Sequence, residues 1–486
     1  MNTHLQCCMV GDARNGDTMN DNDKRKPEQG FPVIPVELDG LAGYSGRCTC
    51  GRVHTIDTQQ FVLRPGALGD LLQCVRRFSP GKHLGVLADA ITDALAGRDV
   101  SDSLRTAGLE VTRYVVPDAE GGRPHATFDT VLDVEQQLQH VECIIAVGSG
   151  TINDLGKLVS YRLGIPYLVV ATAPSMNGYT SAIAAIMKDG LKITVDCHQP
   201  VAVVADLDIL VDAPLYLIQA GLGDLESKPV STADFKLSAL LRGSWYCPAP
   251  GAVVAEAEAR AAACADRLAT RDPDAIRVLT EALLLSGCSM KLAGSSSPAS
   301  GGEHLISHYW DMTAATEGRV EGFHGAQVGV ATLVSAALYE FLCTLSPETI
   351  DIDRLVSTRL SAFEEQDTVA ARHGVFGKLA AAELAAKRLD DNDYRRELEF
   401  VVANWKYIWE SLGMLKPAAR IREVLQKAGC PTTVRALGLT DDHLRRGFLY
   451  AREIRGRYTV LDFAAELGVL EIAASSVFTR SGCLEI

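Results

Sequence analysis

The chain has 486 residues, 47% of them hydrophobic and 22% charged, which is typical of a globular protein large enough for two domains. Its formal net charge of −14 argues against a nucleic-acid partner, because proteins that bind polyanions usually present a basic face. No apolar run reaches the roughly 18–20 residues that span a bilayer, and 13 mostly scattered cysteines predict reduced thiols in a cytoplasmic protein.

Residues 1–58 are predicted to be a polar N-terminal segment. Residues 1 to about 30 predict no fixed structure, and they lack the basic-then-apolar order of a secretory signal. Further along, Cys48, Cys50 and His54 place three soft metal ligands within seven residues. Structural zinc normally takes four ligands, and no fourth is evident nearby. A glycine turn with two incidental thiols is therefore the competing interpretation.

Residues 59–211 alternate predicted helices and strands and indicate an α/β domain. In order, we predict a helix over 65–78, a strand over 83–88, helical stretches from 90 to about 95 and over 101–107, a strand over 109–116 and an amphipathic helix over 128–139. Asp89 ends the first of these strands. A carboxylate there can accept hydrogen bonds from ribose hydroxyls and repel the extra phosphate of NADP. It can equally cap the next helix.

The stretch 143–181 contains a second strand–turn–helix–strand unit. An apolar strand over 144–147 ends in the turn Gly148-Ser149-Gly150-Thr151, and a second apolar strand covers 167–170. Two apolar strands joined by a helix predict a parallel sheet covered on both faces. Asn153 or Asp154 could cap the helix, which we expect to run to about Leu163 and to be ended by Gly164. Small residues in the turn let backbone amides approach a pyrophosphate, although glycine in such turns can also be purely steric.

Polar residues follow the second of these strands. Thr172, Ser175, Asn177 and Ser181 sit where open α/β sheets bind ligands, so their hydroxyls and amide could contact a nucleotide or substrate. Next come a hairpin signal at 189–190 and a last apolar strand over 201–206.

Residues 212–486 carry helical periodicity and predict an all-helical second domain. Its polar sites are Asp224, the pair His304 and His308 on one helix face, and His324. One oxygen and two nitrogens from three segments would make a three-ligand site with an open position, as in catalytic zinc. The alternative is that the aspartate caps a helix and the histidines are loop residues.

Five motifs in order carry a family resemblance: GSGTINDLGK, TAPSMNGYTS, GDLESK, GGEHLISH and FHGAQVGVAT. They resemble the sn-glycerol-1-phosphate dehydrogenase family, within the superfamily of iron-containing alcohol dehydrogenases, glycerol dehydrogenases and dehydroquinate synthases. The resemblance covers roughly residues 50–480. It implies an α/β N-terminal dinucleotide-binding domain with a parallel sheet, followed by an all-α C-terminal metal-binding domain of the dehydroquinate synthase type.

The resemblance also implies residue roles. Asp224, His304 and His324 match the metal ligands, and His308 matches a histidine facing the substrate, so Asp224 and His308 are the expected catalytic residues. Asn177, Asp224 and His308 would contact the substrate. The residues expected to bind the coenzyme are Asp89, Gly148, Ser149, Gly150, Thr151, Ile152, Asp154, Thr172, Ser175 and Ser181.

Lys228 stands where iron-containing alcohol dehydrogenases place a fourth ligand. A protonated amine cannot ligate, so one divalent metal with three protein ligands is expected, and zinc is favoured over nickel or iron. Asn177 replaces an aspartate that the family uses as a substrate contact, and the change removes a charge. Which substrate hydroxyls this position recognises is therefore left open. Lys228, Lys291 and Arg319 are the candidates for holding a phosphate.

The implied reaction is the reversible reduction of dihydroxyacetone phosphate to sn-glycerol 1-phosphate with NAD(P)H, with NAD(H) favoured. His308, at an ordinary histidine pKa, or water would supply the proton. We also expect a homo-oligomer. The alternatives are a glycerol-type polyol dehydrogenase, a dehydroquinate-synthase-like cyclase, against which Asp224 argues because such enzymes typically use glutamate there, and a non-catalytic remnant that works through Cys48, Cys50 and His54.

Overall fold

The computed structural model describes residues 34–119, 122–188, 191–320 and 322–484. The segment 1–30, for which we predicted no fixed structure, lies outside the described residues, as do Asp189 and Gly190 of the predicted hairpin turn. The strands on either side of that turn do pair, with Lys188 opposite Leu191.

A six-stranded parallel sheet organises the first half of the chain. Its spatial order is β3-β10-β7-β6-β4-β5, and every neighbouring pair is parallel. The strand bounds are β3 Gln60–Arg64, β4 His83–Asp89, β5 Glu110–Val116, β6 Cys143–Gly148, β7 Tyr167–Ala171 and β10 Ala202–Asp206. Two antiparallel hairpins complete the strands: β1 Ser45–Arg47 with β2 Val53–Thr55, and β8 Ile183–Lys188 with β9 Leu191–Asp196.

Both faces of this sheet are covered, as its apolar strands require. In β6, Ile144 and Ala146 join the large core shared with the helical half, whereas Ile145 and Val147 join a second core on the opposite face. All six residues of β6 are buried. The α/β prediction is confirmed. The edge strand β3 was missed because its short, partly exposed pattern gives little periodic signal.

The helices of this half differ from the prediction mainly at their starts. Asn153 and Asp154 do not cap the central helix, so that prediction was wrong: the helix begins at Gly150, directly after Ser149, and ends as predicted at Leu163. The helix bounds are α1 Leu38–Leu41, α2 Leu71–Phe78, α3 Ala90–Thr92, α4 Arg98–Thr106, α5 Phe128–Leu138 and α6 Gly150–Leu163. A π-helical segment, Asp93–Gly97, joins α3 to α4 where we predicted two separate stretches.

From residue 207 onward the described residues contain helices and loops but no strand. The bounds are α7 Leu207–Val211, α8 Leu215–Leu225, α9 Lys228–Arg242, α10 Ala249–Ala263, α11 Ala265–Leu268, α12 Pro273–Ala293, α13 Gly302–Ala314, α14 His324–Cys343, α15 Ile352–Ser357, α16 Ala362–His373, α17 Gly377–Lys387, α18 Asp391–Ala403, α19 Trp405–Ser411, α20 Ala418–Lys427, α21 Asp441–Tyr450, α22 Val460–Glu466 and α23 Leu470–Ser481. The all-α second half is thus confirmed, while the boundary at residues 211 and 212 stays a prediction.

One described helix, α14, is long and apolar enough by composition to cross a bilayer, with a mean hydropathy of 1.5. It is instead the central helix of the second half, because 78% of its most apolar window is buried inside the protein.

Candidate active site

Asp224, His304 and His324 come together although they lie on three different helices. Their ligand atoms all lie within 4.8 Å of one another. Oδ1 of Asp224 and Nε2 of His304 are 3.5 Å apart, which is longer than a good hydrogen bond and suits two atoms facing one cation. The rings of His304 and His324 are 5.2 Å apart. One carboxylate and two imidazoles are a donor set that fits zinc.

Glycines allow the helices that carry these ligands to meet. A Cβ at Gly325, one residue into α14, would lie 1.9 Å from the Ala220 carbonyl oxygen of α8. A Cβ at Gly223 would lie 2.3 Å from the carbonyl oxygen of Gly325. The two backbones therefore touch where Asp224, near the end of α8, faces His324, the first residue of α14. Asp224 therefore does not cap a helix and His324 is not a loop residue, so the alternative interpretation of these two residues was wrong.

Polar neighbours fix the orientation of Asp224. Asn177 donates to the Asp224 carboxylate from its backbone N (2.9 Å) and from its side-chain Nδ2 (3.1 Å). The Lys228 ammonium donates to Oδ1 at 3.3 Å. Burial alone would raise the pKa of Asp224, but the charge of Lys228 and the neighbouring His304 hold it well below its ordinary value. Asp224 is therefore ionised, as a metal ligand must be.

Lys228 serves this carboxylate rather than an open coordination position. Its other two hydrogen bonds go to Ser227 Oγ (2.9 Å) and the Ala299 carbonyl (3.1 Å), so all three ammonium hydrogens have acceptors. A neighbouring carboxylate orients His304 as well, because Nδ1 of His304 lies 2.8 Å from Glu303 Oε1. A carboxylate behind a ligating imidazole fixes the ring and leaves its other nitrogen for the metal.

His308 lies one helical turn from His304, with ring centres 6.1 Å apart, and stacks on His324 at 5.5 Å. Its Nδ1 is buried and has no hydrogen-bond partner within the described part of the chain. Burial, and then the positive charge of Lys192, lower the pKa of His308 well below its ordinary value. Our expectation of an ordinary pKa was wrong, because partial burial and a nearby positive charge disfavour the protonated ring, so the imidazole is neutral at pH 7.

A single cleft of about 810 Å³ joins this cluster to the edge of the sheet. It is lined by His304, His308 and His324 on one side, and by Asp89 and the turn residues Ser149–Ile152 on the other. Strand order reverses between β4 and β6, so Asp89 and this turn stand at the switch point of the sheet. Ligands of open α/β sheets bind at that position.

The turn itself is tightly built. A Cβ on Gly148 would lie 2.5 Å from Cβ of Ile152, so glycine is required for the strand to pass into the helix. The hydroxyls of Ser149 and Ser175 hydrogen-bond to each other across the turn. Thr172 also lines the cleft, and its backbone N donates to the Gly148 carbonyl at 3.2 Å. The N-terminus of the 14-residue helix α6 thus opens into the cleft, as an anion site requires.

Three other predicted coenzyme contacts have structural partners as well. Asp89 caps α3, because its Oδ1 accepts from Thr92 N at 2.7 Å, and it also lines the cleft, where its contact with the ribose stays a prediction. Asp154 accepts from Ala185 N at 3.1 Å. The Ser181 hydroxyl accepts from the Lys157 ammonium at 3.0 Å. Both residues line the cleft while binding α6 to neighbouring segments.

The predicted phosphate-binding cations are placed elsewhere. Lys291 pairs with Asp57 at 2.6 Å and Arg319 with Glu317 at 2.6 Å, and neither lines the cleft. The cleft is lined instead by Lys192, which pairs with Asp311 at 2.7 Å, and by Arg123, and the sequence reasoning missed both. Lys192 lies on β9, next to the hairpin signal. The only hint in the sequence was that a basic residue stands in an alternating strand pattern, where it can point to one face of a sheet.

The sequence profile described as iron-containing alcohol dehydrogenase matches residues 62–214. A glycerol-1-phosphate dehydrogenase (NAD(P)+) from Halalkalibacterium halodurans is 35% identical over 301 residues, covering 61% of this chain and 74% of that protein. The chain belongs to the glycerol-1-phosphate dehydrogenase family. A second relative of the same name, from Geobacillus stearothermophilus, is 30% identical over 437 residues, covering 89% of this chain and 99% of its own.

The fold of this family member is also that of solved dehydrogenases. The crystal structure of glycerol dehydrogenase from Schizosaccharomyces pombe superposes with a TM-score of 0.55 and 18% identity, covering 88% of this chain and 92% of that one. At this identity the likeness concerns the fold alone. It confirms the combination of a parallel-sheet half and a helical half.

Proposed function

We propose that the protein reversibly reduces dihydroxyacetone phosphate to sn-glycerol 1-phosphate with a nicotinamide coenzyme and one divalent metal. The observation that carries the proposal is the shared cleft: the turn at the switch point of the sheet lines the same space as His304 and His324, which form a cluster with the buried Asp224. The names of the relatives support the same reaction.

Residues of this chain fit both absent groups. Asp224, His304 and His324 would hold the metal, and residues Gly148–Ile152 would receive the pyrophosphate of the coenzyme. When bound, the metal supplies Lewis acidity at the carbonyl oxygen and the coenzyme supplies the hydride. Zinc is favoured over nickel and iron because Lys228 is committed to Asp224 and leaves three protein ligands. NAD(H) is favoured because the Asp89 carboxylate would repel a 2′-phosphate.

The proton is handled by His308. The reduced carbonyl oxygen must gain a proton, and a neutral imidazole with a free nitrogen can pass one from water to that oxygen. The pKa of His308 is well below its ordinary value, so the ring passes a proton on and does not stay protonated between transfers.

The remaining cleft residues suit a phosphorylated substrate. Lys192 and Arg123 line the cleft, and Lys192 lies near enough to His308 and His324 to depress the pKa of both rings. Arg123 rests over the ring of Phe323, 4.9 Å from its centre, next to His324. These two cations would bind the phosphate of a three-carbon ketone, with Lys192 shared between the phosphate and Asp311, which it contacts at 2.7 Å. We also propose a cytoplasmic homo-oligomer, and the free thiols of the buried Cys74, Cys143 and Cys288 are in keeping with a reducing compartment.

Initial rates with His324→Ala test the proposal. We expect NADH-dependent reduction of dihydroxyacetone phosphate to fall at least about a thousandfold, because the metal loses a ligand and the carbonyl its Lewis acid. His140→Ala, which alters an exposed histidine outside the cleft, is the matched control and should keep full activity. Unphosphorylated dihydroxyacetone and glycerol are measured in parallel, and a preference for either of them would refute the phosphorylated substrate.

A further inference from the structure

A second cluster of metal-binding side chains lies outside the active-site cleft. Cys48, Cys50, His54 and Cys247 place one ligand atom each within 4.8 Å of the others. The first three belong to the hairpin β1–β2 near the start of the described chain. Cys247 comes from the loop between α9 and α10 in the helical half. It supplies the fourth ligand that the local sequence lacked.

The distances between the ligand atoms suit one tetrahedral ion. Zinc–sulfur bonds of about 2.3 Å at tetrahedral angles separate two sulfurs by about 3.8 Å, and a sulfur from a ligating nitrogen by about 3.5 Å. The Sγ atoms of Cys48 and Cys247 are 3.7 Å apart. Nε2 of His54 lies 3.3 Å from Cys50 Sγ and 3.6 Å from Cys247 Sγ.

His54 is oriented for ligation by a hydrogen bond on its far side. Its Nδ1 lies 2.6 Å from the Leu292 carbonyl oxygen of α12, and a carbonyl only accepts, so Nδ1 carries the proton. In a neutral ring Nε2 then presents a lone pair toward the three sulfurs. A backbone carbonyl behind the non-ligating nitrogen is the usual support of a metal-bound histidine. His54 is only 2% exposed and Cys247 only 1%.

The hairpin is shaped to present two cysteines at its tip. Arg47 pairs with Val53, which leaves residues 48–52 as the turn. The turn closes on itself through bonds from Cys48 N to the Arg52 carbonyl and from Gly51 N to the Cys48 carbonyl, each 3.0 Å. Gly51 has a φ of 86°, which glycine adopts without strain. The conformation of the tip is therefore held by hydrogen bonds of the turn itself.

We propose that Cys48, Cys50, His54 and Cys247 form a closed structural zinc site that fastens the N-terminal hairpin to the helical half of the protein. Three thiolates and one imidazole complete a tetrahedral shell with no open position, which is the pattern of structural rather than catalytic zinc. A disulfide would need sulfurs about 2.05 Å apart, so the 3.7 Å between Cys48 and Cys247 describes two separate thiols.

The site would tie together parts of the chain that are distant in sequence. Cys48 and Cys247 are 199 residues apart, so an ion between them closes a long loop and stabilises the folded protein. The same contact is reinforced by Arg52, whose guanidinium lies 3.8 Å from the ring centre of Trp245. Since α12 also supplies Leu292, the hairpin is held against two helical segments.

Zinc at the proposed structural site can be measured alone once the histidine ligands of the active site have been removed. In full-length His304→Ala/His324→Ala protein grown with zinc, we expect one zinc per chain, with X-ray absorption showing three sulfur ligands and one nitrogen ligand. Adding Cys247→Ser should remove that zinc and lower the thermal midpoint. Adding Cys264→Ser instead is the matched control, because Cys264 is another free thiol of the helical half, and it should change neither quantity.

Cobalt substitution of the unaltered protein gives an answer that does not depend on any variant folding. Cobalt(II) bound by three thiolates shows intense thiolate-to-metal charge-transfer absorption, whereas an aspartate–histidine site does not. Appearance of that absorption supports the proposal, and it should vanish in Cys48→Ser. A cobalt spectrum without thiolate bands would overturn it. The proposal would also be overturned if the His304→Ala/His324→Ala protein contained no zinc after zinc loading. A Cys48–Cys247 disulfide, found by mass spectrometry in protein purified without reductant, would overturn it as well.

Discussion

At the scale of single residues, several groups in the cleft serve both the fold and the proposed chemistry. Asp89 is the clearest case, since one carboxylate oxygen caps α3 through Thr92 while the residue also lines the cleft at the switch point. The capping role needs an oxygen acceptor, and the proposed coenzyme preference needs the negative charge. The two roles can therefore be separated by a substitution that keeps the oxygen and removes the charge.

We expect Asp89→Asn to shift the ratio of kcat/KM for NADH over NADPH toward NADPH by about tenfold, equivalent to about 1.4 kcal/mol. The asparagine oxygen still accepts from Thr92 N, so the thermal midpoint should stay unchanged. Asp129→Asn, which removes an exposed charge from the first turn of α5, should leave the ratio as it was. An unchanged ratio in Asp89→Asn would mean that this carboxylate does not face the ribose.

At the scale of helices, the metal cluster depends on one close crossing. Gly223 and Gly325 bring the backbones of α8 and α14 into contact, and their neighbours Asp224 and His324 are the proposed ligands. A methyl group at this crossing meets a carbonyl oxygen rather than the end of a flexible side chain. The helices must therefore move apart, and the ligand atoms on them with them.

We expect Gly325→Ala to reduce bound active-site metal and kcat at least about tenfold, because a small misplacement of ligands is costly for metal binding and catalysis. Metal analysis and initial rates on the same sample measure both. Gly69→Ala adds a methyl group where no atom lies within 4 Å, and it should retain metal and activity. Full metal content and kcat in Gly325→Ala would show that the crossing tolerates more separation than its contacts suggest.

At the scale of the whole molecule, the cleft combines a proposed coenzyme site from the sheet half with a proposed metal site from the helical half. Residues Ser149–Ile152 belong to the sheet half, whereas His304 and His324 belong to the helical half. Each half supports its own site, with hydrogen bonds within the turn on one side and Glu303 and Lys228 beside the ligands on the other, while Asn177 of the sheet half links the two by donating to Asp224. Coenzyme binding and metal binding should then be separable.

Loss of the metal should abolish turnover but leave coenzyme binding nearly intact. We expect the Kd for NADH, measured by fluorescence titration, to change less than about threefold between the zinc-loaded protein and His324→Ala, a difference below about 1 kcal/mol. If NADH binding disappears together with the metal, the two groups are coupled through the cleft and the turn alone does not hold the coenzyme.

The sequence by itself determined the parts that depend on local pattern. Alternating apolar runs and glycine turns predicted the buried strands β6 and β7 and the end of α6 at Leu163, because burial and backbone freedom act within a few residues. Ordered motifs predicted the family and the residues Asp224, His304 and His324. The helix start at Gly150 escaped this reasoning because no side chain marks it by capping.

Only the tertiary structure decided which distant groups face each other. It placed Lys192 and Arg123 at the cleft in place of Lys291 and Arg319, and it lowered the pKa of His308 by burying the ring beside Lys192. It also brought Cys247 to His54 across 193 residues of chain. The physical reason is the same in each case: distance, solvent exposure and charge environment are set by packing between segments, and no short stretch of sequence contains them.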